Sequence, residues 1–377
     1  MRWFTFDLLT GDKLRYLPTT TGGRWSGDLN AAGGLSCRVP LTVGTADLNL
    51  RESARPVRTG LACLEGDHVL QAGPIWARNY ARDEAGNPVL DLVGAGIWSW
   101  FDKRVVMPQL WEAITVAGAI DAEDPDWALV FESESFSNIV KGLAAEVMSW
   151  EASDLPIVLP DDTAGSHDKT YYGYDLGWAG QRFREITELE GGPEIRFRPR
   201  FTSSRQGLEW LLEVGTDADP ELHSVNELRW NAGAEDSPIR NLSIDEDATG
   251  IASLGWGLGG RQSDETILVK TEDAFLTDRG FPLVEMVDND HSTVTLPATL
   301  DAYLAEGLLR ARRGSELWSL QIRKDRPPVG SYAVGDHVSL KVKGDPYIPD
   351  GRYSLKIVHL SGDDSDFVTV RLVTRGV

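Results

Sequence analysis

Cysteine, histidine and positive charge are all scarce in this chain. Of its 377 residues only 2 are cysteine. Cys37 and Cys63 can form at most one bridge, which is no disulfide framework for a chain of this size and fits synthesis in a reducing cytoplasm. The 6 histidines stand at 68, 167, 223, 291, 337 and 359. They form no H-E-x-x-H and no His/Cys pair at ligand spacing, so no zinc site and no other metal is expected. Lys and Arg number 37 against 58 Asp and Glu, a net charge of −21. That field repels phosphate and anionic membrane, which argues against a sequence reader of DNA but not against a surface that DNA slides past. Solubility is the commoner use of such a surplus. No apolar run approaches a membrane span, so no membrane insertion is expected. The opening "MRWFTFDLLTGDKL" has no basic region followed by a long apolar one, because Asp7 interrupts it, and no export is expected.

What the sequence does contain is alternation broken by turns. Pro and Gly punctuate the chain about every eight to twelve residues, the spacing of short strands. Phe4, Phe6 and Leu8 form one alternating run, and Leu35, Cys37, Val39 and Leu41 another. Val89, Leu90, Leu92 and Val93, between "DEAGNP" and "GAG", read as the second strand of a hairpin. Towards the C-terminus, Val338, Leu340 and Val342, then Tyr353, Leu355 and Ile357, then Val368, Val370 and Leu372 predict a meander of three strands able to curl into a small barrel.

Three stretches carry helical spacing instead. Phe136, Ile139, Val140, Leu143, Val147 and Trp150 share one face, with serines before them as caps. Trp178, Phe183, Ile186 and Leu189 line a second helix, stopped by Gly191 and Gly192. Leu300, Tyr303, Leu304 and Leu308 face inward on a third, with Arg310, Arg312 and Arg313 favouring its C-terminal dipole and Gly314 ending it. The fold class is therefore mainly β with inserted helices. At this length about two to four units are expected.

Several motifs imitate chemistry. Gly255, Gly257 and Gly260 satisfy G-x-G-x-x-G, but Arg261 to Asp264 form a polar turn and Thr266, Leu268 and Lys270 alternate, so no helix opens to receive a pyrophosphate. "DEDATG", Asp245 to Gly250, resembles the start of a calcium loop, yet its twelfth position is Trp256 where a bidentate glutamate is needed; it reads as an Asx turn. Ser166 and Lys169 make an S-x-x-K without the companion motifs of serine acyl-transfer enzymes. Neither a P-loop nor G-x-S-x-G occurs. Among the 13 tryptophans, Trp3, Trp76, Trp98, Trp100, Trp150, Trp178 and Trp318 fall where core residues are expected. No catalytic, cofactor-binding or metal-binding residue is assigned, and no cofactor.

"GDHV" occurs at Gly66–Val69 and again at Gly335–Val338. After each copy come a Gly/Pro break, a strand, a polar turn and another strand, which suggests one small module used twice.

The stretch "KTYYGYDLGWAGQRFREITELEGGPEIRFRPRF" (169–201), followed by "LEWLLEVG", "LPATLDAYLAEGLLRA", "ELWSLQI", "YAVGDHVSLKV" and "IPDGRYSLKIVHLS", resembles the hub-type minor tail proteins of long-tailed siphoviruses that infect actinobacteria. The front end, with "WSGDLNAAGGLSCRVPL" and "PIWARNY", is similar to the opening barrel of that family. These are packing and turn motifs, spread over nearly the whole chain. The resemblance implies two related β-barrels per chain: a first at 1–112, a helix-containing insertion at 113–200, and a second at 201–255 with 314–377, interrupted by an α+β segment at 256–313. On that arrangement the glycines at 255 to 260 mark where a strand leaves the barrel. It further implies a homotrimeric baseplate hub in the virion, made in the host cytoplasm, meeting a distal tail ring, the tape measure protein and other tip proteins around a channel for DNA. Since the chain ends directly after the last strand, at "RLVTRGV", no lysozyme-like or peptidase domain is expected and the chain reads as no enzyme. The alternatives are a carbohydrate-binding or glycan-hydrolysing tail protein using exposed tryptophans and a carboxylate pair, and a cellular β-rich enzyme.

Overall fold

A computed structural model describes residues 1–18, 22–108, 127–189, 191–225, 227–262, 265–289, 294, 296–312 and 314–375. The chain separates into two compact units, Met1–Leu242 with Ser319–Val377, and Ser243–Trp318.

The larger unit begins with strands β1 (Arg2–Asp7), β2 (Lys13–Leu17), β3 (Arg24–Asp28) and β4 (Gly34–Pro40), a single helical turn α1 (Leu50–Ser53), then β5 (Thr59–Glu65), β6 (His68–Arg82) and β7 (Pro88–Ala95). The β6–β7 turn is the predicted one, closed by Asp83 accepting from the Asn87 amide. A short helix α2 (Trp98–Phe101) follows. Next come β8 (Ala128–Glu134), α3 (Phe136–Met148), β9 (Ile157–Val158), β10 (His167–Tyr172), α4 (Ala179–Thr187), β11 (Ile195–Phe201), β12 (Leu208–Val214) and β13 (Leu228–Asn231). Helix α3 starts where expected because the Ser135 hydroxyl accepts from the Asn138 amide at 3.1 Å, supplying one of the bonds that the first helical turn lacks.

The chain then runs through β14 (Ile239–Asp247), which crosses the boundary between units. The smaller unit holds β15 (Leu254–Gln262), β16 (Glu265–Glu272), the turn α5 (Ala274–Thr277), β17 (Glu285–Asp288) and α6 (Pro297–Arg310). Strand β18 (Ser315–Arg323) crosses back, and β19 (His337–Val342), β20 (Gly351–Asp363) and β21 (Phe367–Thr374) complete the predicted C-terminal meander.

Thirteen strands join in one sheet, in the order β14-β18-β21-β20-β3-β4-β7-β6-β5-β1-β2, with β19 also on β20 and β13 on β19. Among the described residues its terminal strands β2 and β14 each have one neighbour, so the sheet is open there. This corrects the expectation of two closed barrels. Closure needs the first and last strands of a module to pair. Here β20 instead carries pairing out of one module and into the other, bonding β19 through Gly351–Lys356 and β3 through His359–Asp363.

One strand order nonetheless occurs twice. In space the first five-strand set is β3-β4-β7-β6-β5 and the second is β14-β18-β21-β20-β19, so each has the same chain sequence of neighbours. Both long strands, β6 and β20, slip register against their hairpin partner, at Ile75/Ala77 and at Ile357/His359, which marks a bulge that bends the strand. The two "GDHV" segments do not mark this equivalence. The first turns β5 into β6, whereas the second leads into β19, the counterpart of β5. They are one strand out of step.

The main core of the larger unit packs one face of β1 and β5 against α2, α3, α4, β11 and β12. Phe4, Phe6, Trp98, Phe101, Phe183 and Trp210 are fully buried there. Trp98 meets Phe183 edge-on at 5.5 Å, and Trp210 lies 5.7 Å from Phe6 with its Nε1 donating to the Ala72 carbonyl at 3.3 Å. Some inward assignments fail. Trp178 precedes α4 as its cap and is 44% exposed, Leu189 lies beyond the helix end at 36%, and Tyr303 is exposed on α6. Of the tryptophans expected inside, Trp3, Trp98 and Trp318 are buried, while Trp76, Trp100 and Trp150 are half-buried. A helix nine residues long buries only about two turns of one face, so periodicity extended past its ends overreaches.

Truncating Trp210 to Ala should cost about 3–5 kcal/mol through the lost transfer energy and the cavity left behind. Val225→Ala, at a position 98% exposed, should change stability by less than about 0.5 kcal/mol. Urea unfolding of the two variants measures the contrast.

Candidate functional site

The glycine run lies inside β15, in the smaller unit. An added Cβ at Gly255 would meet Leu304 Cδ2 at 3.1 Å, and at Gly257 it would meet Leu304 Cδ1 at 2.9 Å. Leu300, Leu304 and Leu308 of α6 are buried. The glycines thus let α6 sit close on the strand, and neither takes a left-handed backbone. Close helix approach, and not phosphate, accounts for Gly255 and Gly257, in keeping with the absence of a helix after the glycine run.

The other imitations resolve locally. Asp247 accepts from both the amide and the hydroxyl of Thr249, at 2.8 and 2.6 Å, which is the Asx turn expected of "DEDATG". Ser166 precedes β10 while Lys169 pairs with Phe131 across to β8, and no hydrogen bond joins them among the described residues. No three His, Cys, Asp or Glu side chains cluster as metal ligands among the described residues. His291, Arg313 and Asp264 lie outside them. Both cysteines are free and buried, and burial pushes the Cys37 thiol up to about 12. Such a thiol is inert at neutral pH.

One cluster of charge was not signalled by the sequence. Lys356, only 4% exposed, lies 2.6 Å from Glu194 Oε1 and 3.3 Å from Glu221 Oε1. His337, opposite Lys356 across β19 and β20, places Nε2 at 2.9 Å from Glu221, and Arg375 approaches the same carboxylate at 3.5 Å. His223 stacks on His337 with ring centres 4.9 Å apart and reaches Asp219 at 2.9 Å. Leu355, Lys356 and Ile357 are all buried, so both faces of β20 are covered here and the ammonium must find its partners inside.

The electrostatics are those of a clamp. Burial pushes the Glu194 carboxyl above the usual range despite the pull of Lys356. Burial also opposes charge on Glu221, but Lys356, His337 and Arg375 together hold it below that range. Burial, then Arg375 and Lys356, hold the His337 imidazolium below its ordinary pKa. A folded imidazole that resists protonation contributes stability above the unfolded pKa of about 6.5, and this is lost as pH falls through the folded value. The depressed Glu221 acts in the same direction at lower pH, and the raised Glu194 in the opposite one. Both carboxylates are engaged with one ammonium, which leaves neither as a free general acid or base.

The described residues form several cavities. One of about 120 Å³, lined by Trp25, Gln71, Trp98, Arg196 and Tyr332, is smaller than the roughly 300–1,000 Å³ of ordinary ligand pockets. An open groove of about 590 Å³ brings Trp230 near Asp236 and Asp325. Asp325 is held by Arg323 at 2.8 Å, Asp236 lies 3.9 Å from Arg326, and Trp230 is buried rather than presented to solvent. A glycosidase needs one carboxyl shielded so that it stays protonated. The Asp325 and Asp236 side chains are instead 57% and 90% exposed.

The comparisons concern the same framework. The chain is similar throughout to the 43 kDa tail protein of prophage MuSo2 from Shewanella oneidensis, with a TM-score of 0.60, 10% identity, and 100% of this chain and 98% of that one covered. It is similar to a tail protein from Neisseria meningitidis MC58, with a TM-score of 0.57, 13% identity and coverage of 100% and 98%. A chain of the Francisella PdpA–VgrG complex matches at a TM-score of 0.50 and 8% identity over 99% of this chain and 52% of that one. No family model matches the sequence, and no curated protein is significantly similar to it. At these identities the likeness is one of fold: the chain has the mainly β fold of phage tail proteins.

Replacing Lys356 by Met should cost about 3–5 kcal/mol at neutral pH, because the Glu194 carboxylate loses its cation inside the protein, while the half-exposed Glu221 keeps His337 and Arg375. The deficit should shrink between about pH 7 and pH 4, as Glu194 takes up a proton in the folded variant. Denaturant unfolding at both pH values checks the sign, and an equal deficit at each would contradict the clamp.

Proposed function

We propose that this chain is a structural component of a phage tail tip: a homotrimeric baseplate hub that adapts the six-fold tail tube to a three-fold tip and surrounds the exit path for tape measure protein and DNA. The observation that carries the reading is the five-strand order used twice in one sheet. Three copies of such a chain present six similar modules to a hexagonal ring while keeping three-fold symmetry on the other side. Full-length likeness to proteins described as tail proteins supports it.

On this reading the first module occupies 1–112, the helices of 113–200 follow, and 201–255 with 314–377 form the second, with 256–313 inserted. The partners are the distal tail protein ring, the tape measure protein and other minor tail proteins, and the place is the distal end of the virion after synthesis in the host cytoplasm. The role is architectural, with no catalytic step. A charge of −21 suits a lumen wall, because DNA sliding past carboxylates exchanges no bound counterions.

Light scattering of the purified chain, alone and with its tail neighbours, should give three times 41.5 kDa in at least the second case. A chain that remains monomeric in both, or tails that contain a copy number other than three, would overturn the hub.

A further inference from the structure

Strand β15 of the smaller unit reverses the usual two-layer pattern. A sheet covered by a helix on one face normally turns its large apolar side chains to the helix and polar ones to water. Here the residues turned to α6 are Gly255 and Gly257, and the leucines of α6 fill that side by themselves. Because side chains alternate along a strand, Trp256 and Leu258 point to the other face. Pairing sets their neighbours there: Trp256 lies between Lys270 of β16 and Val287 of β17, and Leu258 lies beside Leu268. Leu268 and Val287 are each 64% exposed and Leu258 is 39% exposed. Along β16, residues 266, 268, 270 and 272 are all exposed while 267, 269 and 271 are half-buried, so among the described residues this part of the outer face is open. A contiguous apolar patch in the position where polar side chains belong marks a surface that something covers.

Charge selects the occupant. On the face itself Lys270 pairs with Glu272, and Glu285 accepts from Trp256 Nε1 at 2.9 Å, so the centre is apolar and its few charges are engaged. The unit around it is strongly acidic: residues 243–318 carry 14 Asp and Glu against 6 Lys and Arg, a net of −8. Two copies stacking this face on itself would bring two such units to about 10 Å, close to the screening length at physiological salt, so their repulsion would be only partly screened. The same sign disfavours nucleic acid and anionic lipid. A protein with an apolar contact ringed by basic side chains satisfies both the patch and the field. Resting on the tail reading, we propose that the outer face of β15, β16 and β17 docks a different tail protein, whose contact is apolar at its centre and carries lysine or arginine at its rim.

The test places a thiol-directed photo-crosslinker on Leu268→Cys in the full chain, where Cys37 and Cys63 are buried and stay unlabelled. In assembled tails, illumination should join position 268 to another tail protein, within a peptide that carries lysine or arginine. The neutral double variant Leu268→Ser, Val287→Ser should keep the urea midpoint of the wild type and recruit that protein about tenfold more weakly or worse, and the wild-type contact should weaken as salt is raised. A crosslink to a second copy, to a peptide without basic residues, or to nothing overturns the docking surface and leaves the hub to be decided by its copy number. Undiminished recruitment by the serine variant overturns it as well. A chain absent from tails overturns the hub, and this proposal with it.

Discussion

A β-strand has two sides, and backbone groups left unpaired inside a protein cost more than the strand can return. Strand β20 shows how this chain meets that constraint. Its thirteen residues are too long for one hairpin partner, so β19 covers the first part of one side, β3 from the far end of the sequence covers the rest, and β21 runs along the other. Remove β3 and the second module exposes a bent edge; remove β20 and the first module loses its link to the C-terminal meander. The continuity of the sheet, and hence the larger compact unit, depends on that exchange of partners at one bulge.

The core and the ionic clamp reinforce the same junction by different means. Phe6, Trp98, Phe183 and Trp210 bring helices and the β11–β12 hairpin onto the first module through non-directional burial. Lys356, Glu194 and Glu221 tie the segments before β11 and β13 to β20 through charges that cannot be left alone once buried. A clamp of this kind fixes which segments meet more than it adds net stability. Glu194 and Glu221 are both committed to cations, and the groove aspartates Asp236 and Asp325 lie beside arginines.

Much of the local structure was legible in the residues. Alternation located β1, β4, β7 and the C-terminal meander, Ser135 located the start of α3, and Thr249 with Asp247 declared a turn rather than a calcium loop. The failures share a cause. Trp178, Leu189 and Tyr303 lie on or beside real helices but point to solvent, because a period reports which residues share a face and not where the face ends. The glycines of β15 were legible as an absence of side chains, but not as a seat for Leu300 and Leu304. The repeated module was suspected from "GDHV" and the order of elements after each copy, but the two copies fall one strand out of register with the true equivalence.

The sequence by itself determined the class of the protein, mainly β with inserted helices, together with its strong negative charge, its turns and its lack of metal or redox chemistry at recognisable spacing. Those properties depend on neighbours within a few positions, where periodicity and turn chemistry act. Tertiary structure alone decided that two modules share one sheet, that Glu194, Glu221, His337 and Lys356 meet, and that β20 takes β19 and then β3 along one side. Each of these joins residues far apart in the chain, and such encounters follow from how long strands are covered on both sides, which no local pattern records.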